Sequence, residues 1–290
     1  MEYTTYSYNK QNLNLMPPRI ADSHKGTYGR VLCVCGSVGM AGAAAFAARS
    51  ALRMGAGLVE VLTPRENLQI IQTLVPEAIV SVYDSSSPEE AVIDAAVARA
   101  DAIVIGCGLG ISKASHTLLS RVLKSKRPAT VIDADALNLI SRSPSLWKHV
   151  KGDVITPHAA EMSRLTGVTV EDIKRDVSGN CHKLAAEREV ICVLKDHRSA
   201  VSDGKGRVYV NTSGNSALST GGSGDVLAGM LGGILAQAKN SDRTLTELVC
   251  LGVYVHGLCG EEAAFRLGEY SVMASDIIDS IPQILKHIRK

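Results

Sequence analysis

The sequence predicts an α/β protein in which a doubly wound, mostly parallel sheet is covered by helices on both faces. Small residues (Ala, Gly and Val) carry much of the apolar content, which suits close packing of helices on a sheet. Segments with helical spacing, such as 43–54, 89–98 and 115–123, alternate with strand-like runs. Those runs are short, rich in β-branched residues and apolar on both faces, as in a covered parallel sheet; they are RVLCVCG, GLVEVLTP, EAIVSVYD, ADAIVIGCG, ATVIDAD, GDVITP and EVICVLKD.

The pattern changes near residue 198. SAVSDG and RVYVN predict a hairpin about the Asp203-Gly204 turn, and helices follow over 225–238, 245–266 and near Ile277. Residues 1–20 form a polar lead-in with at most one helical turn packed on the body. Because no linker or internal repeat divides the rest, residues 21–290 are predicted to be one domain.

Composition excludes several classes of partner. The net charge is +2 and no run of Lys or Arg stands out, so neither nucleic acid nor an anionic membrane surface is expected. No apolar run approaches the ~20 residues of a membrane helix, and the N-terminus lacks an apolar signal region. The seven cysteines are expected to be buried free thiols of a cytoplasmic protein, although Cys33 and Cys35, on one strand face, leave a metal or redox pair open.

A glycine-rich turn enters an apolar helix at 219-STGGSGDVLAG-229. Gly222, Ser223 and Gly224 can expose consecutive N–H groups, a concavity suited to phosphate oxygens. Asp225 has two interpretations here: it caps the helix, or it works beside an anion site. The polar, glycine-containing segment NTSGNS just upstream favours the second.

Other polar or glycine-rich turns follow strands, and the carboxyl ends of strands in an open α/β sheet are where ligands bind. We expect these turns to converge on one crevice; they are GSVGMAG (36–42), GCGLG (106–110), DADAL (133–137), TPHAAEMSRL (156–165) and LKDHRS (194–199). GCGLG lacks the spacing of a dinucleotide fingerprint. It is either a tight turn or a close approach of backbone to ligand.

Charged residues in these turns have alternative roles. His158 and Glu161, three residues apart on one helix face, could both bind a metal, or His158 could pack at a helix start. Asp133 and Asp135 could contact a hydrated cation or a sugar hydroxyl, or cap the following helix. Lys195, at a strand end, could meet a phosphate or simply be solvated.

Taken in order, these motifs resemble the ADP- or ATP-dependent NAD(P)H-hydrate dehydratase family of the ribokinase superfamily. The resemblance runs from about residue 20 to the end and includes VIDADAL, TPHAAEMSRLTG, VLKD and NTSGNSALSTGGSGDVLAG. It implies a ribokinase-like fold and a repair reaction. Hydrated NADH or NADPH is phosphorylated on the ring hydroxyl and loses phosphate, which restores the cofactor and releases AMP from ADP or ADP from ATP.

The resemblance also implies residue roles. Asp225 looks like the base for the ring hydroxyl, and Gly222, Ser223 and Gly224 like the cradle of the transferred phosphoryl group. Mg²⁺ is implied, held mainly by phosphates and water, with Glu161 contacting it through water. Ala43, Gly108, His158 and Asp225 match the hydrated-nucleotide site, and the adenine-nucleotide site matches Lys195, Asp196, His197, Arg198, Ser199 and Gly224.

Two departures and two alternatives accompany this resemblance. Cys107 stands where Pro is common, and Ser199 where Thr is usual. A hydroxymethylpyrimidine or hydroxyethylthiazole kinase would use the same turn but release a stable phosphorylated product. His158 speaks against it, because related kinases have Asn there. A non-catalytic nucleotide sensor is the other alternative. The resemblance further implies a homo-oligomer, a tetramer in relatives, and a separate epimerase, since the lead-in leaves no room for a fused one.

Overall fold

One mixed sheet organises the chain, in a computed structural model that describes residues 2–286 and 288. Within those residues the strand order is β1-β10-β9-β8-β7-β6-β5-β2-β3-β4. The strands are β1 (Thr4–Tyr6), β2 (Arg30–Val34), β3 (Leu58–Pro64), β4 (Ile79–Tyr83), β5 (Ala102–Ile105), β6 (Thr130–Ile132), β7 (Val154–Ile155), β8 (Ile191–Leu194), β9 (Ala200–Ser202) and β10 (Arg207–Val210).

The seven strands from β2 to β8 are parallel to one another, as predicted. β9 is antiparallel to both β8 and β10, so the predicted hairpin about Asp203-Gly204 is also confirmed. The chain runs from β2 outwards to β4 and then returns to place β5 on the other side of β2. The chain therefore continues in opposite directions across the sheet after β2 and after β5, which makes this a topological switch point, where such sheets bind ligands.

Helices cover both faces of the sheet because alternate strand residues point to opposite sides. Val31 and Cys33 of β2 join one core cluster, whereas Leu32 and Val34 join the other. The helices are α1 (Ala41–Arg53), α2 (Leu68–Leu74), α3 (Glu90–Ala98), α4 (Lys113–Lys124), α5 (Ala134–Arg142), α6 (Ala159–Thr166), α7 (Val170–Arg175), α8 (Val177–Arg188), α9 (Ser223–Leu235), α10 (Leu245–Leu267) and α11 (Ala274–Leu285). The first core cluster contains α1, α9, α10 and α11, and the second contains α3 to α8.

The lead-in is part of this architecture. The predicted helical turn is present as a 3-10 helix over Lys10–Leu15, but β1 was not predicted. β1 pairs in parallel with β10 at the sheet edge. Just after it, the buried Tyr8 ring lies 4.9 Å from the ring of Tyr209, measured between centroids.

Two sequence-based expectations about burial have clear outcomes. Within the described residues, all seven cysteines are free and buried, as expected. The expectation that no apolar run reaches membrane-spanning length is wrong for α10, which is long and apolar enough by length and composition. However, 78% of its most apolar window is buried inside the fold, which is typical of a core helix.

Candidate active site

The turns after β2 and β5 meet at the switch point. The N–H of Gly36 donates a hydrogen bond to the carbonyl of Cys107 (2.8 Å). Gly108 has a φ of 60°, and a Cβ there would lie only 2.8 Å from the Cβ of Ala43. Only glycine fits such a left-handed, closely packed position. The two predicted hydrated-nucleotide residues Ala43 and Gly108 are thus neighbours.

The GGSGD turn begins α9 with Gly222 at the N-cap position, in a left-handed conformation (φ 89°). Ser223 is the first helical residue, so Asp225 lies in the first turn and is not the N-cap. The capping interpretation of Asp225 is therefore wrong. The N–H groups at this helix start and its dipole favour an anion.

His256 fixes this turn from α10. Its Nε2 lies 3.1 Å from the carbonyl oxygen of Ser223 and 3.4 Å from the Ser223 hydroxyl. Burial lowers the pKa of His256 to about 4, although the contact with Ser223 opposes this, so the ring is neutral and Nε2–H can donate. The sequence analysis did not identify His256. The feature that could have indicated it is the single histidine in the apolar stretch of α10.

Asp225 is a strongly perturbed carboxyl group. Its pKa is raised to about 6, first by burial and then by the nearby negative charge of Asp133, while a hydrogen bond from Cys107 and the charge of Lys195 oppose the shift. One ligand atom each from Cys107, Asp133 and Asp225 lie within 4.8 Å of one another. A base whose pKa is near neutrality, in a partly buried site, is suited to removing a proton.

Lys195 extends from the end of β8 towards α9. Its Nζ donates to Asp133 (Oδ1, 2.7 Å) and lies 4.0 Å from Glu161 (Oε2). Burial disfavours its charge, but the attraction of Asp133 and Glu161 outweighs burial and raises the pKa of Lys195. A Cβ on Gly224 would lie 3.5 Å from Nζ, so a fixed positive charge stands beside the turn.

His158 and Glu161 form a capping box at the start of α6. His158 is the N-cap: its Nδ1 accepts from the N–H groups of Ala160 (3.1 Å) and Glu161 (3.3 Å), and its own N–H donates to Glu161 Oε2 (2.9 Å). The helix-start interpretation of His158 is therefore confirmed, and the three-residue spacing reflects this box. Burial raises the pKa of Glu161 to about 6, with Lys195 opposing and Asp133 adding to the shift.

A cavity of about 800 Å³ opens beside these groups and has the size of a nucleotide site. Ser223 and Gly224 line it where it meets α9, and Leu227, Val253 and Leu218 supply an apolar wall. Further lining comes from the loop between β10 and α9, from the segment after β8 and from the N-cap of α6; the residues are Asn211, Ser213, Gly214, Asn215, Ser216, Ser219, Thr220, Lys195, Asp196, His197, Ser199 and His158.

The family model described as NAD(P)H-hydrate dehydratase matches residues 31–283, which is most of the chain. The chain belongs to this family. The match begins at β2 and ends in α11, so it includes every turn that contributes to the site.

Individual proteins of this dehydratase family are also similar to the chain. The chain is 36% identical over 84% of its length to the ADP-dependent (S)-NAD(P)H-hydrate dehydratase of Neisseria meningitidis, covering 80% of that protein. It is 35% identical over 91% of its length to the enzyme of the same name from Lactiplantibacillus plantarum, covering 90% of it. It is 36% identical to a bifunctional NAD(P)H-hydrate repair enzyme of Moorella thermoacetica, of which it spans about half (52%).

Solved structures of similar proteins share the fold. The ADP/ATP-dependent NAD(P)H-hydrate dehydratase of Bacillus subtilis, co-crystallised with ATP and Mg²⁺, aligns with a TM-score of 0.83 at 28% identity, covering 97% of this chain and 98% of that one. A ribokinase-like protein of Enterococcus faecalis gives 0.85 at 29% identity, covering 98% and 96%. A hydroxyethylthiazole kinase of Pyrococcus horikoshii (0.63, 16% identity, covering 92% and 94%) shares the fold alone. The predicted ribokinase-like fold is confirmed.

Against this dehydratase framework, the predicted site residues fall into two groups. Lys195, Asp196, His197 and Ser199 line the cavity, whereas Arg198 donates to the carbonyl of Thr212 (2.6 Å) and so stabilises the adjacent loop. The second group lies on the switch-point side of the glycine turn and consists of Ala43, Gly108 and Asp225. Cys107 precedes Gly108 in the chain, and its thiol lies near the carboxylates of Asp133 and Asp225. Gly224 and Lys195 connect the two sides.

Proposed function

We propose that the protein uses ADP or ATP to dehydrate the hydrated forms of NADH and NADPH, restoring the reduced cofactor. The ring hydroxyl is phosphorylated transiently, and phosphate is released together with AMP (from ADP) or ADP (from ATP). The observation that carries this proposal is the position of Asp225. Its carboxyl lies in the first turn of α9, between the cavity-lining Gly224 and the switch-point turn that contains Cys107.

The chain's own groups account for each step. Asp225 removes the hydroxyl proton as the oxygen forms its bond to phosphorus and the phosphoanhydride bond breaks towards AMP or ADP. The N–H of Gly224 donates to the transferred oxygens, and the N–H of Ser223, which donates to the Thr220 carbonyl at 3.3 Å, turns to them when phosphate binds. The Lys195 ammonium offsets the charge of these oxygens. Phosphate then leaves with the C–O electron pair, and loss of a proton from the adjacent ring carbon restores the double bond.

Mg²⁺ fits this site only as a partner of the phosphates. Of the carboxylate oxygens, Asp133 Oδ1 is engaged by Lys195 and Glu161 Oε2 by the N–H of His158. The nearby Cys107 thiol is a soft ligand that suits Mg²⁺ poorly. The ion would therefore be held mainly by phosphates and water, with Glu161 reached through water. It would neutralise phosphate charge during transfer.

The decisive assay follows reduced-nicotinamide absorbance when hydrated NADPH or NADH is mixed with the protein and ADP or ATP. We expect absorbance to return, with one phosphate released per cofactor restored. A kinase would consume nucleotide and accumulate a phosphorylated product while absorbance stayed low. A sensor would bind nucleotide without turnover. Either result would overturn the proposal.

We propose further that the protein is a cytoplasmic homo-oligomer, a tetramer, that acts with a separate epimerase of the hydrate. The buried free thiols support a reducing compartment. Large apolar side chains are exposed between the end of α10 and the start of α11, and they support a subunit contact; they are Phe265 (88%), Tyr270 (106%) and Met273 (61%). The bifunctional relatives are about twice as long as the part this chain matches, which leaves room there for a second activity. Light scattering of the purified protein tests the assembly.

A further inference from the structure

Asp133 begins α5 in an unusual way. It occupies the N-cap position, where aspartate normally accepts from the helix N–H groups, but within the described residues its side chain makes no such cap hydrogen bond. The next residue, Ala134, has a φ of 47°, a left-handed conformation that costs about 1 kcal/mol or more for a residue with a Cβ. The start of α5 therefore lacks a side-chain cap and contains backbone strain at Ala134.

The side chain of Asp133 is used elsewhere. It is almost completely buried (2% exposed) and accepts from Lys195 Nζ at 2.7 Å, with the Lys195 side chain only 21% exposed. Both groups face the glycine turn: a Cβ on Gly224 would lie 3.5 Å from Nζ and 3.8 Å from Asp133 Oδ2. A buried ion pair contributes little net stability, so its position beside the turn is the feature that needs explaining.

We propose that Asp133 is a positioning residue for phosphoryl transfer: its carboxylate holds the Lys195 ammonium beside Gly224, where the transferred phosphoryl group passes. This inference rests on the proposed function. Without Asp133, Glu161 would be the one carboxylate of the described residues left within 4.0 Å of the ammonium. The flexible lysine stem would then place the charge variably, and a displacement of about 1 Å can cost about 10²-fold in rate.

Asp133 also influences the base. The groups that face Asp225 are Asp133 at the N-cap of α5, Asp135 in the first turn of α5, Cys107 from the turn after β5, and Lys195 from the end of β8. After burial, Asp133 is the largest cause that raises the pKa of Asp225. Removing its charge should therefore lower the pKa of Asp225.

The test compares Asp133→Asn, Lys195→Met and the double variant. We expect Asp133→Asn to lower kcat about 10²-fold while KM for the hydrated cofactor changes less than threefold. Because Asp133 acts through Lys195, the double variant should be within about threefold of Lys195→Met alone. Asp153→Asn is the matched control: it removes another buried aspartate, paired with Arg127 (2.5 Å), at the start of β7. It should lower stability and leave kcat unchanged.

A second measurement does not need turnover. Carbon NMR of the Asp225 carboxyl should show a lower pKa in Asp133→Asn than in the wild type and Asp153→Asn. If the wild type fails to restore hydrated cofactor, the proposed function fails, yet this titration still tests the Asp133 network. The inference is overturned by additive losses in the double variant, by wild-type kcat in Asp133→Asn, or by an unmoved Asp225 titration.

If Asp133→Asn does not fold, Asp133→Glu takes its place, because it displaces the charge by one methylene. Lowered kcat with unchanged KM in that variant supports the inference, and unchanged kcat overturns it.

Discussion

At the scale of single residues, Asp225 presents an apparent conflict, because a carboxylate sits inside a turn built to attract anions. The structure resolves it in two ways. Asp225 is in the first turn of α9 and not at the N-cap, and its carboxylate makes no cap hydrogen bond with the N–H groups of the preceding residues. Its raised pKa of about 6 further reduces the repulsion it imposes as a phosphate enters. A binding motif is thereby also a candidate catalytic one.

The first prediction concerns the rate. Asp225→Asn should lower kcat by about 10²–10⁴-fold, the usual contribution of a general base, while ADP still binds, because Gly224 and the cavity are untouched. In the wild type, kcat/KM should fall below about pH 6 as Asp225 is protonated. Steady-state kinetics across pH with calorimetric nucleotide titration tests both parts. Wild-type turnover in the variant would remove Asp225 from the mechanism.

The second prediction concerns stability. The pKa of Asp225 is raised from 3.8 to about 6 on folding, so the folded state holds this proton more tightly than the unfolded one. The free energy of unfolding therefore falls as pH rises from about 4 to above 6. At pH 8, Asp225→Asn should be more stable than the wild type by about 1–3 kcal/mol, and the difference should shrink towards pH 5. Urea denaturation measures this; a difference independent of pH contradicts it.

At the scale of elements, the turns were easier to predict than the details of helix starts. Strands apolar on both faces are identifiable from composition, and their order places polar turns at one sheet edge. The helix predicted over 225–238 is found at Ser223–Leu235, because Gly222 starts it earlier. Gln237 helps to end it, donating to the carbonyl of Gly233 (2.7 Å). These shifts depend on left-handed φ values and side-chain contacts, which periodicity does not reveal.

The third prediction belongs to the α9 start. Gly222 has a φ of 89°, and a Cβ there would lie 2.8 Å from the Phe46 ring and 3.0 Å from the Cβ of Ala274. Gly222→Ala should therefore move the turn, lowering kcat about 10²-fold and the free energy of unfolding by about 1–3 kcal/mol. Gly221→Ala is the matched control, because a Cβ at Gly221 meets no described atom within 4 Å. Equal kinetics and melting temperatures in the two variants would contradict the idea.

At the scale of the whole molecule, long-range contacts decided what sequence reasoning missed. β1 is three residues long, too short for its Thr and Tyr residues to predict a strand without a partner; it pairs with the edge that β10 offers. Arg198 adjoins the cavity-lining segment, but its side chain binds the neighbouring loop. His256 reaches the glycine turn from a helix 33 residues further along the chain. Such roles depend on distant partners, whereas the turn motifs were visible because they are local.

The lead-in also connects to the nucleotide cavity. Tyr8 packs on Tyr209, whose hydroxyl donates to Asn211 Oδ1 (2.9 Å). Asn211 Nδ2 donates in turn to the carbonyl of Ser213 (3.0 Å), and both residues line the cavity. A segment that precedes the parallel sheet therefore supports a wall of the candidate nucleotide site.

The fourth prediction follows from this connection. Tyr8→Ala should lower the free energy of unfolding by about 3 kcal/mol, as for other buried aromatic truncations, and should weaken ADP binding through Asn211. Unfolding should remain a single transition, because the lead-in and the body share one core. Gln11→Ala is the control, since that residue of the same lead-in is exposed and should not alter stability. If Tyr8→Ala leaves the melting temperature and ADP affinity at wild-type values, the lead-in is an appendage and the cavity wall is maintained by the body alone.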